Sequence, residues 1–90
     1  MTKHLLYNVE YLVASSGAFA VLRKDGRVIP WGCSHFGGDA YEKDVLLNNV
    51  EMLAASDYAF AALKNTGRII CWGMHYDLIN AKKALQKVFS

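Results

Sequence analysis

Apolar residues dominate short segments of the chain that are separated by small polar turn signals. Three such segments cover residues 9–15, 18–24 and 28–33. Short apolar runs bounded by Ser, Gly and Asp favour β-strands over helices. The pair Asp25-Gly26 lies between the second and third segments and predicts a tight hairpin turn, because Gly tolerates positive φ. The pattern therefore predicts a three-stranded antiparallel sheet.

The same pattern recurs 41 residues further along the chain. Its strand segments are residues 50–56, 59–64 and 69–74, with Thr66-Gly67 at the hairpin position. Ala18-Phe19-Ala20 aligns with Ala59-Phe60-Ala61, and Trp31-Gly32 aligns with Trp72-Gly73. A fixed period of this length is the signature of a repeat architecture. We predict one domain, residues 1–90, made of two repeats at about 9–49 and 50–90, with residues 3–8 matching the end of the segment between the repeats.

The second strand of each repeat is apolar on both faces. Phe19 points to one side of its strand, whereas Ala18 and Ala20 point to the other, because strand side chains alternate. A strand with two apolar faces is expected to be covered on both. We therefore predict core positions for the four recurring aromatic residues: Phe19, Trp31, Phe60 and Trp72. Pro30 lacks an N–H and predicts that the third strand of the first repeat lies at a sheet edge.

Helical segments are predicted after each set of strands. Residues 40–48 form a short candidate, and residues 78–88 form a stronger one that Asp77 can cap. Apolar residues of the second helix recur on one face, at Leu78, Ala81, Leu85 and Val88. The predicted class is mainly β with helices (α+β), as two tandem βββα repeats. Either the repeats of several chains assemble, or the two repeats fold on each other as a compact α+β domain.

The order Ala-Phe-Ala-x-Leu, hairpin Gly and Trp-Gly resembles the repeats of the regulator-of-chromosome-condensation superfamily. The closest resemblance is to short bacterial versions with a Gly-Gly-Asp element, here Gly37-Gly38-Asp39. It covers roughly residues 9–39 and 50–73 and implies β-propeller blades that act by surface contact, without covalent catalysis. The second copy departs from the pattern, with Leu78-Ile79-Asn80 in place of Gly-Gly-Asp. Two copies are also too few for a propeller, which takes at least four blades, so propeller-blade-like repeats of this chain would close a ring only by assembly of several chains.

Composition and charge argue against several classes of function. The net charge is +2, from ten basic and eight acidic residues, and the densest basic cluster is only Lys82, Lys83 and Lys87. A nucleic-acid binder usually concentrates its basic residues on one face, so nucleic acid is an unlikely partner class. No apolar run reaches the roughly 18 residues of a membrane span. Two cysteines are too few for a disulfide scaffold, so a cytoplasmic location is the expectation.

The sequence shows no pair of side chains arranged as a general acid and a general base. We therefore expect no enzyme activity and no cofactor. The predicted function is a non-catalytic protein–protein interaction module that associates with itself as a homo-oligomer. Four candidate partner-binding residues follow the third strands: His35, Phe36, His75 and Tyr76. Two more, Arg27 and Arg68, follow the hairpin turns, where a guanidinium could bind a partner carboxylate.

An alternative function is a small zinc-binding or thiol-dependent protein. Cys33, His35, Cys71 and His75 supply two thiols and two imidazoles, a ligand set that suits tetrahedral zinc. Their spacing is not that of a known zinc module. The two cysteines also occupy different positions of the repeat, since Cys71 aligns with Pro30.

Overall fold

The computed structural model describes residues 8–39 and 46–89. Three antiparallel strands form the first sheet, sheet A, in the order β1 (Val9–Ala14), β2 (Ala18–Arg23) and β3 (Val28–Gly32). Sheet B repeats this order with β4 (Val50–Ala55), β5 (Ala59–Lys64) and β6 (Ile69–Gly73). The helix α1 (Leu78–Phe89) follows.

The predicted α+β class with two tandem three-stranded units is confirmed, and the strands end within one residue of their predicted bounds. β3 lies at a sheet edge, as Pro30 predicts. The helix predicted after the second repeat is α1. Of the helix predicted over 40–48, residues 40–45 lie outside the described part of the chain, as do residues 3–7 of the matching N-terminal segment.

Turn residues at equivalent positions explain part of the sequence repeat. Gly26 and Gly67 adopt φ of +86° and +92° in the hairpin turns. Asn8 and Asn49 adopt φ of +58° and +53° immediately before β1 and β4. Asn is among the few residues other than Gly that adopt this left-handed conformation readily. The recurrence of Asn-Val-Glu therefore reflects a backbone requirement at the start of each sheet.

Each sheet has two distinct faces, because residues paired across neighbouring strands project to the same side. We call one side the aromatic face. In sheet A it comprises Leu12, Ala14, Phe19, Val21, Ile29 and Trp31. In sheet B it comprises Leu53, Ala55, Phe60, Ala62, Ile70 and Trp72. The opposite side is the alanine face, named for Ala18 and Ala20 in sheet A and for Ala59 and Ala61 in sheet B.

The main core lies between the two sheets. The alanine face of sheet A packs against the aromatic face of sheet B, around the fully buried side chain of Phe60. Small side chains on one sheet allow the large rings of the other to fill the space between them. Full burial of one large apolar side chain stabilises the fold by about 1.5–3 kcal/mol.

A second, smaller core joins sheet B to α1. Ala59 and Ala61 on the alanine face of sheet B pack against Ala81 and Leu85 of the helix, and all four are fully buried. Val88 belongs to the predicted apolar face of the helix, but it lies on the last turn and is exposed. The layers are therefore sheet A, sheet B and α1, stacked in that order.

Burial of the aromatic residues differs between the repeats. Phe60 and Trp72 are 0% and 2% exposed, whereas Phe19 is 42% exposed and Trp31 is only partly buried. The prediction that Phe19 belongs to the core is therefore wrong, although Val21 on the same face of β2 is fully buried. The physical reason is the layer order, since sheet A covers the aromatic face of sheet B but neither sheet B nor α1 covers that of sheet A.

Candidate functional site

The aromatic face of sheet A carries a preformed pair of rings. Phe19 lies directly opposite Trp31 on the neighbouring strand, with ring centroids 5.4 Å apart and planes inclined by 24°. Phe60 and Trp72 form the equivalent pair in sheet B, with 5.5 Å between the centroids and an inclination of 26°. The two pairs thus have the same geometry, although one is buried and the other is accessible.

The composition of the two aromatic faces is almost identical. Leu, Ala, Phe, Ile and Trp occupy equivalent positions in both sheets, and the one difference is Val21 in sheet A against Ala62 in sheet B. Sheet A therefore repeats the surface that sheet B uses to bind another sheet. On sheet A this surface is accessible at its margin, where Leu12 is 48% exposed.

The buried aromatic face of sheet B is held by polar contacts as well as by packing. The indole N–H of Trp72 donates a hydrogen bond of 3.1 Å to the carbonyl of Gly37, in the loop that follows sheet A. A β-carbon on Gly37 would lie 2.3 Å from the Phe60 ring, so glycine is required for this close approach. The hydroxyl of Tyr11 on β1 also accepts a hydrogen bond from the backbone N–H of Leu53.

The equivalent indole in sheet A has no such contact. The Trp31 side chain makes no hydrogen bond to any residue in the described ranges 8–39 and 46–89. Its ring is half-buried, so the unpaired N–H keeps access to solvent and costs little in the isolated chain. A docked surface would have to supply an acceptor there, as the Gly37 carbonyl does for Trp72.

The hairpin turns show the same difference between the repeats. The Gly26 carbonyl of the first turn accepts a hydrogen bond of 2.9 Å from the Val50 N–H at the start of β4. A β-carbon on Gly26 would lie 3.2 Å from the backbone of Asn49. In the second repeat a β-carbon on Gly67 would meet nothing within 4 Å. The hairpin turn of Gly26 thus contacts the second repeat, whereas the position of Gly67 has no close neighbour.

Asp77 ties the start of α1 to sheet B. One of its carboxylate oxygens accepts hydrogen bonds from the Ser56 hydroxyl at 2.6 Å and from the Tyr58 N–H at 2.9 Å. The other accepts one from the Asn80 side chain at 2.7 Å. The Ser56 and Asn80 hydrogen bonds hold the pKa of this buried carboxyl below its usual value, with a smaller contribution from the Tyr58 N–H. The residue predicted as a helix cap thus binds the turn between β4 and β5.

The six predicted partner-binding residues do not form one surface. His35, Phe36, His75 and Tyr76 follow β3 and β6, at the end of the sheets where β1 and β4 also end. Arg27 and Arg68 are exposed beside the hairpin turns, at the opposite end. The first end does carry a short row of aromatic rings, because Phe36 and Tyr76 each contact Tyr58, with centroid distances of 5.0 and 6.4 Å.

The four residues of the alternative zinc hypothesis are not brought together. No three His, Cys, Asp or Glu side chains within residues 8–39 and 46–89 are arranged to hold a metal ion, and the four ligands of that hypothesis all lie in these ranges. Cys71 lies on the alanine face of sheet B and packs in the small core beneath α1. Cys33, by contrast, is exposed after β3.

The three lysines of α1 lie on the solvent-exposed side of the helix. Lys82, Lys83 and Lys87 are exposed on the helix, which is the position expected for the solvated side of an amphipathic helix. In the described part of the chain, none of the helices is both long and apolar enough to span a bilayer.

The sequence gives little signal for Leu12 on the candidate surface and for Gly37 in the contact between the two sheets. Leu12 was not singled out because a lone Leu on an edge strand carries no signal of exposure. Gly37 belongs to the Gly-Gly-Asp element of the resemblance, and its replacement by Leu78 in the second repeat is the signal that could indicate a contact made only once. No protein-family model matches the sequence, and a comparison with curated proteins finds no similar one.

Proposed function

We propose that this chain is a non-catalytic protein–protein interaction module and that its docking surface is the aromatic face of sheet A. The observation that carries the proposal is the difference between two equivalent ring pairs. Phe60 and Trp72 are buried by a neighbouring sheet, whereas Phe19, in the same arrangement with Trp31, is 42% exposed. The margin of a surface suited to sheet packing, at Leu12 and Phe19, is thus accessible.

Physical considerations support a binding role for this face. Contiguous exposed apolar patches on a small protein typically mark an interaction site. Trp is among the side chains that contribute most to the binding free energy of interfaces, and removal of apolar area from water favours association. Leu12 and Phe19 are the largest exposed contributors on this sheet.

A second copy of the chain is the partner that the sequence predicts. Two copies would meet with their aromatic faces against each other about a two-fold axis, so that each contributes the same residues. The exposed side chains of Leu12 and Phe19 in both copies are then covered at once, and the two α1 helices lie on the far sides of the assembly.

The solution mass tests this proposal, by light scattering after size exclusion over a range of concentrations. We expect self-association that is lost in Leu12→Asp and Phe19→Asp. The matched controls are Ile79→Asp and Val88→Asp on α1, where the native side chains are 60% and 59% exposed. These controls should associate as the unmodified chain does. If the sheet A variants and the controls associate equally, the docking surface lies elsewhere.

A further inference from the structure

The outer side of α1 carries exposed apolar and basic side chains next to each other. Tyr76 lies in the short 3-10 turn that precedes the helix, His75–Asp77, and is 66% exposed. Ile79, at the start of α1, is 60% exposed, and Lys82 and Lys83 follow one helical turn later and are also exposed. Residues three or four positions apart lie on the same side of a helix. We call these four exposed residues the α1 patch.

Tyr76 is held in place although most of its surface is exposed. Its ring contacts Tyr58 edge-on, with the planes at 85° and the centroids 6.4 Å apart, and Tyr58 in turn contacts Phe36. The neighbouring Asp77 accepts a hydrogen bond from the Tyr58 N–H, which fixes the backbone beside Tyr76 to the same turn. A side chain that is ordered before binding loses little conformational entropy when a partner covers it. The α1 patch therefore presents an aromatic ring that is already positioned.

The charges of α1 all have the same sign. The helix contains three lysines and no acidic residue. Among the residues that the structure describes, none of these lysines forms an ion pair. Lys83 and Lys87 are four positions apart, where two like charges on a helix repel each other. An anionic partner would supply the missing opposite charges and reduce this repulsion.

The buried side of α1 favours a protein over a lipid bilayer as the anionic partner. Ala81 and Leu85 are fully buried against sheet B, so the apolar stripe of the helix is not free to enter a bilayer. Helices that lie in a membrane interface bury such a stripe among the lipids. An aromatic and an aliphatic side chain beside two cations match a short protein segment that carries both apolar and acidic residues.

We propose that the α1 patch docks an acidic segment of a partner protein. Carboxylates of the segment lie opposite Lys82 and Lys83, and an apolar side chain packs against Tyr76 and Ile79. This inference goes beyond the proposed function, because α1 and sheet A pack on opposite faces of sheet B. The acidic partner and a second copy of the chain therefore bind at different surfaces and do not compete.

A synthetic peptide of leucines flanked by glutamates serves as the probe of this inference. Added to the full chain, it should shift the amide signals of residues 75–83 in a proton–nitrogen NMR spectrum and leave those of sheet A unchanged. A peptide with Gln for Glu, or with Ala for Leu, should bind about fivefold more weakly, because it lacks either the charges or the apolar contact. Added salt should weaken the binding of the acidic peptide.

The variant Lys83→Glu separates the loss of binding from a loss of stability. It places a negative charge four positions before Lys87, an arrangement that stabilises a helix, so the temperature of thermal unfolding should not fall. The same variant repels the peptide and should weaken its binding roughly tenfold. The matched control is Lys24→Glu at an exposed position of the sheet A hairpin, which makes the same change in net charge and should bind as the unmodified chain does. Equal weakening in both variants would overturn the inference.

A second pair of variants tests the apolar part of the α1 patch. Ile79→Ala should weaken peptide binding about fivefold. Val88→Ala should leave binding unchanged, because Val88 is 59% exposed but lies on the opposite side of the helix.

The remaining outcomes concern the class of partner. If vesicles with phosphatidylserine, or a single-stranded oligonucleotide, shift the signals of residues 75–83 and the peptide does not, the assignment to an acidic protein segment is overturned. If no probe shifts these signals, the inference is also overturned. The proposed function is unaffected by either result, since self-association through sheet A is measured separately by light scattering.

Discussion

The indole N–H of Trp72 points at the carbonyl of Gly37, 3.1 Å away, although 35 residues separate them in the chain. The hydrogen bond joins a buried ring of sheet B to the loop that leaves sheet A. Because the acceptor is a glycine carbonyl, the loop can approach the ring stack closely. We therefore expect substitutions of either residue to destabilise the core between the two sheets.

Substitution of Gly37 by alanine should destabilise the fold strongly. The new β-carbon would lie 2.3 Å from the Phe60 ring, and the residue has a φ of +100°. Overpacking costs about 1–3 kcal/mol and the left-handed conformation about 1–2 kcal/mol, so we expect the free energy of unfolding to fall by about 2–5 kcal/mol. Urea denaturation followed by tryptophan fluorescence measures this change.

Gly67→Ala is the matched control for that experiment. Gly67 has a φ of +92°, but a β-carbon there would have no neighbour within 4 Å. The variant therefore experiences backbone strain without overpacking and should lose only about 1–2 kcal/mol. Equal losses in the two variants would show that the contact between Gly37 and Phe60 is unimportant.

The two tryptophans should respond differently to replacement by phenylalanine. Trp72→Phe removes a buried ring edge and leaves the Gly37 carbonyl without its donor, which should cost about 1–3 kcal/mol. Trp31→Phe removes a partly buried ring with no equivalent hydrogen bond in the described chain and should cost less than about 1 kcal/mol. Thermal unfolding of both variants at low protein concentration checks the difference, and the reverse ranking would contradict it.

Loss of the Asp77 carboxylate should loosen α1 from sheet B. Asp77→Ala leaves the Ser56 hydroxyl and the Tyr58 N–H without their acceptor, and we expect a loss of about 1–3 kcal/mol. Hydrogen exchange should show faster opening of α1 amides than of sheet A amides. The control is Asp57→Ala at an exposed position of the neighbouring turn. If both variants lose a comparable free energy of unfolding, the hydrogen bonds of Asp77 are not what holds α1 to sheet B.

The same carboxylate should make stability dependent on pH. Its pKa in the folded state lies below the ordinary value of 3.8, so the folded state favours the ionised form. The resulting stabilisation is complete above the unfolded-state pKa and is lost as the pH falls through the lower folded-state pKa. Urea denaturation at pH 7 and at pH 3 should show a smaller acid-induced loss in Asp77→Asn than in the unmodified chain. Parallel losses would assign the acid sensitivity to other groups.

Much of the architecture could be predicted from the sequence. Repetition of the strand and turn pattern placed six strands within one residue of their observed bounds, and the period of apolar residues placed α1. These features depend on local chemistry, such as the conformational freedom of Gly26 and Gly67 in the turns. Because such local requirements restrict which residue type can occupy a position, they can be read from the sequence.

The sequence could not distinguish the two aromatic faces. Phe19 and Phe60 have nearly the same neighbours along the chain, and their different burial depends only on what lies above each sheet. The same limit applies to Asp77, whose partners Ser56 and Tyr58 are about twenty residues distant. The candidate surface depends on the order of the layers, because equivalent residues of the two sheets differ only in what packs against them.

The strand order within each sheet has a consequence for folding kinetics. Every strand pairs only with a neighbour in sequence, so each sheet can form by closing short loops. Docking of one sheet on the other joins residues some forty positions apart, as Tyr11 and Leu53 are, and such contacts form more slowly. The strands of each sheet should therefore pair first, and the two formed sheets should dock against each other in a later step. During that interval two nearly identical sheets are open together, and the nascent chain is most prone to exchanging layers with its neighbours.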